Sequence, residues 1–261
     1  MRKLIMKKTI LTLSVSFLML GCGGSNSSSS SSSSSTAGQG GSMARFAMSG
    51  DYLYTINQQE MNVLNLSNPI KPKQLNKIRV PFDVETLFAY KNSLYVGSNS
   101  GMYIYDISNP IQPIKISNFT HAQSCDPVVV ADDIAYVTLN SSASCWQKTG
   151  INRLEMIDVS NPSNPRFIKA VDMWEPKGLG VDGNNLFICD GSNGLKVYDI
   201  NKTKSESNNL LNVTISLKDT QSDIDCYDLI AKNKNLVISN HQDIRQFDYT
   251  TFPMQERGEV K

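Results

Sequence analysis

The sequence has almost no net charge: 25 basic and 24 acidic side chains leave a formal +1 over 261 residues. Such a balance offers no field for nucleic acid or for an acidic membrane surface and argues against strong polyelectrolyte partners. Histidine is nearly missing, with His121 and His241 the only 2. They fall in different parts of the chain with no evident acid or nucleophile partner, and no G-x-S-x-G elbow is present, so a hydrolytic triad has no support. The five cysteines contain no C-x-x-C pair, which argues against structural zinc. After Ser42 no stretch repeats its apolar residues at helical spacing. Gly178-Leu-Gly180-Val-Asp-Gly183 fits G-x-G-x-x-G on paper, but a strand follows it where a dinucleotide site needs a helix. Asp190-Gly-Ser-Asn-Gly194 begins like a calcium loop and lacks the closing Glu, so it reads as a turn.

What is present starts at the N-terminus. A basic flank, Met1–Lys8, precedes a short apolar run, Thr9–Leu20, and then Met19-Leu20-Gly21-Cys22. The run is short for a finished membrane span and has the form of an export signal. Gly21-Cys22 at its end resembles the lipobox of bacterial lipoproteins, which implies cleavage after residue 21, lipidation of Cys22 and, from Gly23, sorting to the outer membrane. An unbroken serine run, Ser27–Ser35, and a Gly-rich stretch to Gly41 follow. Nothing in this segment has apolar surface to bury, so residues 22–41 are expected to form a disordered tether.

From Ser42 onward the chain repeats. Tyr54, Tyr95 and Tyr136 stand at equal intervals in the segments Tyr52-Leu-Tyr54, Ser93-Leu-Tyr95 and Ile134-Ala-Tyr136; Phe187 and Val237 continue the series after longer gaps. The extra residues fall in 140–150 and 201–209, and both insertions read as loops. Within one unit, short strands at 84–90, 93–97, 102–106 and 114–119 are separated by turn residues, which predicts a four-stranded antiparallel meander. The third strands carry apolar residues on both faces, as in Met102-Tyr-Ile-Tyr-Asp106 and Leu195-Lys-Val-Tyr-Asp199. A lone meander cannot cover both faces, whereas sheets stacked radially shelter one another. The expected fold is therefore all-β, a propeller of five four-stranded antiparallel blades over 42–261, with units near 42–80, 81–121, 122–173, 174–220 and 221–261. The last unit carries no surplus strand to lock onto the first.

One phrase recurs after the third strand: Leu64-Asn-Leu-Ser-Asn-Pro-Ile-Lys-Pro72, Tyr105-Asp-Ile-Ser-Asn-Pro-Ile-Gln-Pro113 and Ile157-Asp-Val-Ser-Asn-Pro-Ser-Asn-Pro165. Asp, Ser and Asn favour turns and Pro ends pairing, so the phrase predicts the corner into the fourth strand, with the second Pro as that strand's first residue at an exposed edge. Together with Gly101-Met-Tyr-Ile-Tyr-Asp106 and Gly194-Leu-Lys-Val-Tyr-Asp199, it resembles the LVIVD repeat of bacterial and archaeal cell-surface proteins. The resemblance covers essentially all of 42–261 and implies a propeller at the cell surface or envelope, with no assigned activity.

Four cysteines remain after Cys22, and an exported chain favours disulfides over thiols. Cys125 and Cys226 stand at the same repeat place, the entrance to the first strand. Cys189 stands at the exit of a second strand, which lies at the same end of a meander. The expected pairs are Cys189–Cys226, tying two blades, and Cys125–Cys145, anchoring the insertion. Strand entrances also carry Asp83, Glu85, Asp126, Glu175, Asp223 and Asp225. One repeat position, held by Ser42, Asp83, Ser124, Glu175 and Asp225, becomes one circle about the axis, so several carboxylates are expected at one mouth of the channel, where crowded like charges favour a cation such as calcium or a positively charged partner. Solvated acids partnered by Arg45 and Lys177 are the plainer alternative. No other cofactor is expected. The functional expectation is a non-catalytic envelope platform for a protein or glycan, held to the membrane by its N-terminal lipid. The rival is a carbohydrate-active hydrolase or lyase with two acids in an aromatic-lined cleft, for which Trp146 and Trp174 are the candidate aromatics.

Overall fold

A computed structural model describes residues 40–57, 59–81, 83–121, 127–141, 150–204, 210–240 and 242–260. Five four-stranded antiparallel sheets, each in sequence order, form a five-bladed propeller. The first blade comprises β1 (Phe46–Ser49), β2 (Tyr52–Asn57), β3 (Glu60–Asn65) and β4 (Lys73–Arg79); the second comprises β5 (Val84–Tyr90), β6 (Ser93–Ser98), β7 (Gly101–Asp106) and β8 (Ile114–Thr120). The third holds β9 (Val128–Ala131), β10 (Ile134–Leu139), β11 (Arg153–Asp158) and β12 (Arg166–Asp172). The fourth holds β13 (Leu179–Asp182), β14 (Asn185–Cys189), β15 (Leu195–Lys204) and β16 (Leu211–Gln221), and the fifth β17 (Asp228–Lys232), β18 (Asn235–Ser239), β19 (Ile244–Asp248) and β20 (Gln255–Val260). The first strands pack in succession, β1 on β5, β5 on β9, β9 on β13 and β13 on β17, and so surround the axis. Among the described residues the only helix is a single 3-10 turn, Gly191–Asn193.

The repeated aromatic explains how the blades adhere. Tyr54, Tyr95, Tyr136 and Phe187 are at most 2% exposed, and each packs into the blade that follows its own. Tyr54 shares one buried cluster with Leu87, Leu94 and Val96, and Tyr136 another with Leu179, Leu186 and Ile188. A ring side chain fills the space between two sheets better than an aliphatic one and contributes correspondingly more to their adhesion. The fifth member of the series is Val237, 37% exposed. Apolar clusters join blades one to two, two to three, three to four and four to five; among the described residues none joins five to one. The closing seam is thus the one where the sequence lacks its aromatic.

The recurrent phrase forms the corner expected of it, in a definite way. The Oδ1 atoms of Asn65, Asp106 and Asp158 accept from the backbone amides of Ser67, Ser108 and Ser160 at 2.8, 2.8 and 2.9 Å, and from their hydroxyls at 2.5 to 2.6 Å. Asn68, Asn109 and Asn161 repeat the device one turn later toward residues 70, 111 and 163. Two Asx turns in tandem thus fold each corner. The corner then accepts hydrogen bonds from the preceding blade: Asn76 Nδ2 donates to the Ile111 carbonyl at 2.9 Å and Ser117 Oγ to the Pro162 carbonyl at 2.5 Å. The fourth strands begin one residue after the second proline, at Ile114 and Arg166, so Pro113 and Pro165 precede the strands they were expected to start. Every third-to-fourth strand pair carries a register shift at the same repeat place, such as Ile104/Tyr105 and Met156/Ile157. A bulge there sharpens the twist that radial stacking needs.

The insertion at 201–209 is partly strand, not simply a loop. β15 and β16 pair out to Lys204–Leu211, which replaces the Ser-Asn-Pro corner by a long hairpin. Ile200 and Val213 are buried in the cluster between blades three and four, beside Ile168 and Val171 of β12. Polar residues alternate with these apolar ones, and that alternation is what a half-covered hairpin requires.

Candidate functional site: strand entrances and an adjoining cleft

At the strand entrances the expected acids occupy separate environments. Asp83 takes a left-handed backbone (φ 60) and lies close enough to Glu85 to act on it electrostatically. Burial pushes the Glu85 carboxyl above its usual range and Asp83 adds to the shift, while Arg45 opposes it. Glu175 forms an ion pair with Lys177 at 3.7 Å. Asp223 and Asp225 are exposed, and Asp223 acts on Arg245, whose guanidinium is held mainly by Glu256. Asp126 lies outside the described residues, as do Cys22, Cys125, Cys145 and Trp146. Among the described residues no three His, Cys, Asp or Glu side chains gather around a point that would hold an ion. The basic partners Arg45 and Lys177 are in place.

A further carboxylate, Asp228 at the start of β17, was not singled out by sequence reasoning. Its Oδ1 accepts from Ser42 Oγ at 3.0 Å, its Oδ2 from the Met43 amide at 3.3 Å, and Ser42 Oγ in turn accepts from the Leu179 amide at 2.8 Å. Residues 41–43 therefore reach from the first blade to the fourth and fifth. Glycines make room: a Cβ on Gly41 would lie 2.1 Å from Asp228 Oδ2, and one on Gly178 would lie 2.4 Å from Oδ1. A Cβ on Gly180 would meet Leu229 Cδ1 at 2.6 Å. The G-x-G-x-x-G spacing is accounted for by close packing of blade four on blade five, and by a left-handed turn at Gly183 (φ 58). Cys189 and Cys226 form the expected disulfide across the same seam, with Cα atoms 5.1 Å apart.

A cleft of about 700 Å³ opens beside the entrance of the fourth blade, lined by 150–153 and 172–175. Its most exposed large side chain is Trp174, at 62%. The backbone under that ring is fixed. Asp190, itself buried, accepts from the Trp174 and Glu175 amides at 3.0 and 2.9 Å, and Asn152 Nδ2 donates to the Trp174 carbonyl at 2.6 Å. Gly191 (φ 56) leaves space for Glu175, whose Cβ would otherwise lie 2.8 Å from an added methyl. Arg153 is held by two hydrogen bonds to the buried Glu155 carboxylate, at 2.9 and 2.5 Å. The result is a rim with a hydrogen-bonded backbone that carries an exposed indole, with Asp172, Glu175, Arg153 and Asn152 in the same cleft. Asp190-Gly-Ser-Asn-Gly194, which begins like a calcium loop, is the turn that carries this support.

Comparison with known proteins places the fold. Solved structures that match include a functionally unknown protein from Desulfotomaculum acetoxidans (15% identity, 81% of this chain and 68% of that chain, TM-score 0.57). Others are a protein from Lactobacillus plantarum (12%, 80% and 67%, TM-score 0.59) and a periplasmic gluconolactonase from Pseudomonas aeruginosa (13%, 81% and 67%, TM-score 0.54). At these identities the likeness is one of fold. No curated protein matches. The LVIVD repeat model matches residues 40–76, 83–121, 150–173 and 177–210, together more than half of the chain. The repeated corners, the strand pattern and this match agree, and the chain belongs to the LVIVD-repeat family.

Proposed function

We propose that this protein is an envelope lipoprotein, anchored through a lipidated Cys22 at the outer membrane, whose propeller is a non-catalytic platform for a protein or glycan partner. The observation that carries the platform reading is Trp174: a ring 62% exposed on a backbone fixed by Asp190 and Asn152. With the backbone beneath it already fixed, binding orders only the side chain, and the exposed indole offers a flat apolar face. With amide, guanidinium and carboxylate groups beside it, this chemistry suits a sugar ring better than an apolar peptide. Anchoring is supported by the Gly21-Cys22 signal and the serine-rich tether. Incorporation of a palmitate analogue that is lost in Cys22→Ser tests the anchor. Retention of glycan or protein from envelope extracts by the full chain, with and without reductant, tests the platform; no retained species would refute it.

A hydrolase or lyase is the second reading, favoured by one observation, that Asp172 and Glu175 flank Trp174 in the same cleft. It requires that a bound glycan be shortened, and that Asp172→Asn or Glu175→Gln stop the shortening.

A further inference from the structure

The axis of the ring holds a second cavity, of about 260 Å³, walled by β1, β5, β9 and β13. Its lining side chains are apolar apart from Tyr90 and Asp132, with Phe46, Leu87, Phe88, Val130 and Val181 the largest of them. Gly40 also lines it, and the residues that follow are tied across the axis through Ser42 to Leu179 and Asp228, so the cavity has a floor at the entrance end. Polar groups collect at the other end, where the hairpin turns lie. Tyr90 and Asp132 belong to the lining there; the Tyr90 hydroxyl accepts from the Asp133 amide at 3.2 Å, and Asp132 is paired with Lys202 while staying 67% exposed.

Phe46 is 50% exposed although it lies among the innermost strands. Replacing poorly held water against these side chains by an apolar group is favourable. A cavity of about 150 Å³ lined by apolar side chains takes up benzene, so this one has room for a fused bicyclic ring. A volume of about 260 Å³ excludes a helix, since one turn about 5.4 Å long and about 10–12 Å across with side chains fills more than that.

We infer that this axial cup binds a small, flat, largely apolar molecule with one polar group, seated with its ring against Phe46 and its polar group at Tyr90 and Asp132. The site is separate from the Trp174 cleft and stands or falls independently of the platform reading. Indole, a bicyclic ring with one N–H donor, is the test probe, titrated into the full chain and followed by methyl NMR.

The expected result is saturable binding of one equivalent with Kd of about 0.1–1 mM, shifting the methyls of Val130, Val181 and Ala89. Ala89→Leu, which fills the cup, weakens it at least about tenfold, and Trp174→Ala leaves it unchanged. Should Ala89→Leu fail to fold, the wild-type shift map with Trp174→Ala decides alone. Overturning results are no saturation by about 5 mM, shifts centred on the Trp174 cleft, or equal affinity in a folded Ala89→Leu chain.

Discussion

Ser42 and Asp228 lie 186 residues apart and share a hydrogen bond of 3.0 Å beside the propeller axis. Where the other seams are apolar, this one is joined by a hydroxyl, a carboxylate and the Met43 amide. Loss of one half-buried charge-assisted hydrogen bond is expensive because the remaining donors lose their acceptor. Asp228→Ala is expected to lower stability by about 1–3 kcal/mol, measured by thermal or denaturant unfolding, and Ser42→Ala by less.

The same pair has a pH signature. Burial raises the Asp228 carboxyl above its usual range, and hydrogen bonds from the Leu229, Met43 and Ser42 amides and the Ser42 hydroxyl offset this only in part. Between the ordinary carboxylate range and the raised value the folded state holds a proton that the unfolded state has released. Stability from this group is therefore greatest at acid pH and falls as pH rises through that window. Melting temperature against pH, compared between the wild type and Asp228→Asn, should show a decline with rising pH that is smaller in the variant; parallel profiles would contradict it.

Asp158 has the opposite sign. Burial works to raise its carboxyl, but the Ser160 hydroxyl and amide together with Arg166 outweigh burial and hold it below the usual range. Its contribution is present above the ordinary carboxylate range and lost as pH falls through the lowered value. Asp158→Asn should be less stable than wild type near neutral pH by about 1 kcal/mol, with the gap closing toward acid.

The aromatic row gives a direct contrast. Tyr95 is 2% exposed between blades two and three, whereas Val237 at the same repeat place is 37% exposed. Tyr95→Ala should cost about 3–5 kcal/mol, and Val237→Ala should stay within about 0.5 kcal/mol of wild type. Equal effects would mean that the fifth seam is packed like the others.

The Cys189–Cys226 bridge spans 37 residues. A loop of that length restricts the unfolded chain enough to contribute about 3–4 kcal/mol. Joint Cys189→Ala and Cys226→Ala should therefore lower the denaturant midpoint, and reductant should then have no further effect through this pair.

The features legible in the sequence are those that recur. A repeated residue keeps its place in each blade, so Tyr54, Tyr95, Tyr136 and Phe187 could be read as one position, and the Ser-Asn-Pro corners and the Cys189–Cys226 pairing follow from the same alignment. Features that belong to one blade were not legible. Asp228 matters because residues 41–43 cross to it, and the only trace of that crossing is two glycines that make room for its carboxylate, Gly41 in the tether end and Gly178, which reads as the start of a nucleotide fingerprint. The 201–204 extension looked like loop because its polar face dominates the composition, although Ile200 and Val213 mark the buried one. The acids at the strand entrances share one end of the blades but not a set of neighbours: Glu85 faces Arg45, Glu175 faces Lys177, and Asp225 faces solvent.

The account turns on Trp174 as a binding surface that leaves its ligand intact. Affinity electrophoresis of the full chain in gels containing purified envelope polysaccharide, run for the wild type and Trp174→Ala with melting temperatures in parallel, tests it directly. The prediction is retardation of the wild type, at least about tenfold weaker retardation of the variant, equal melting temperatures, and polysaccharide of unchanged length. Equal retardation of both chains, or a shortened polysaccharide, would contradict it.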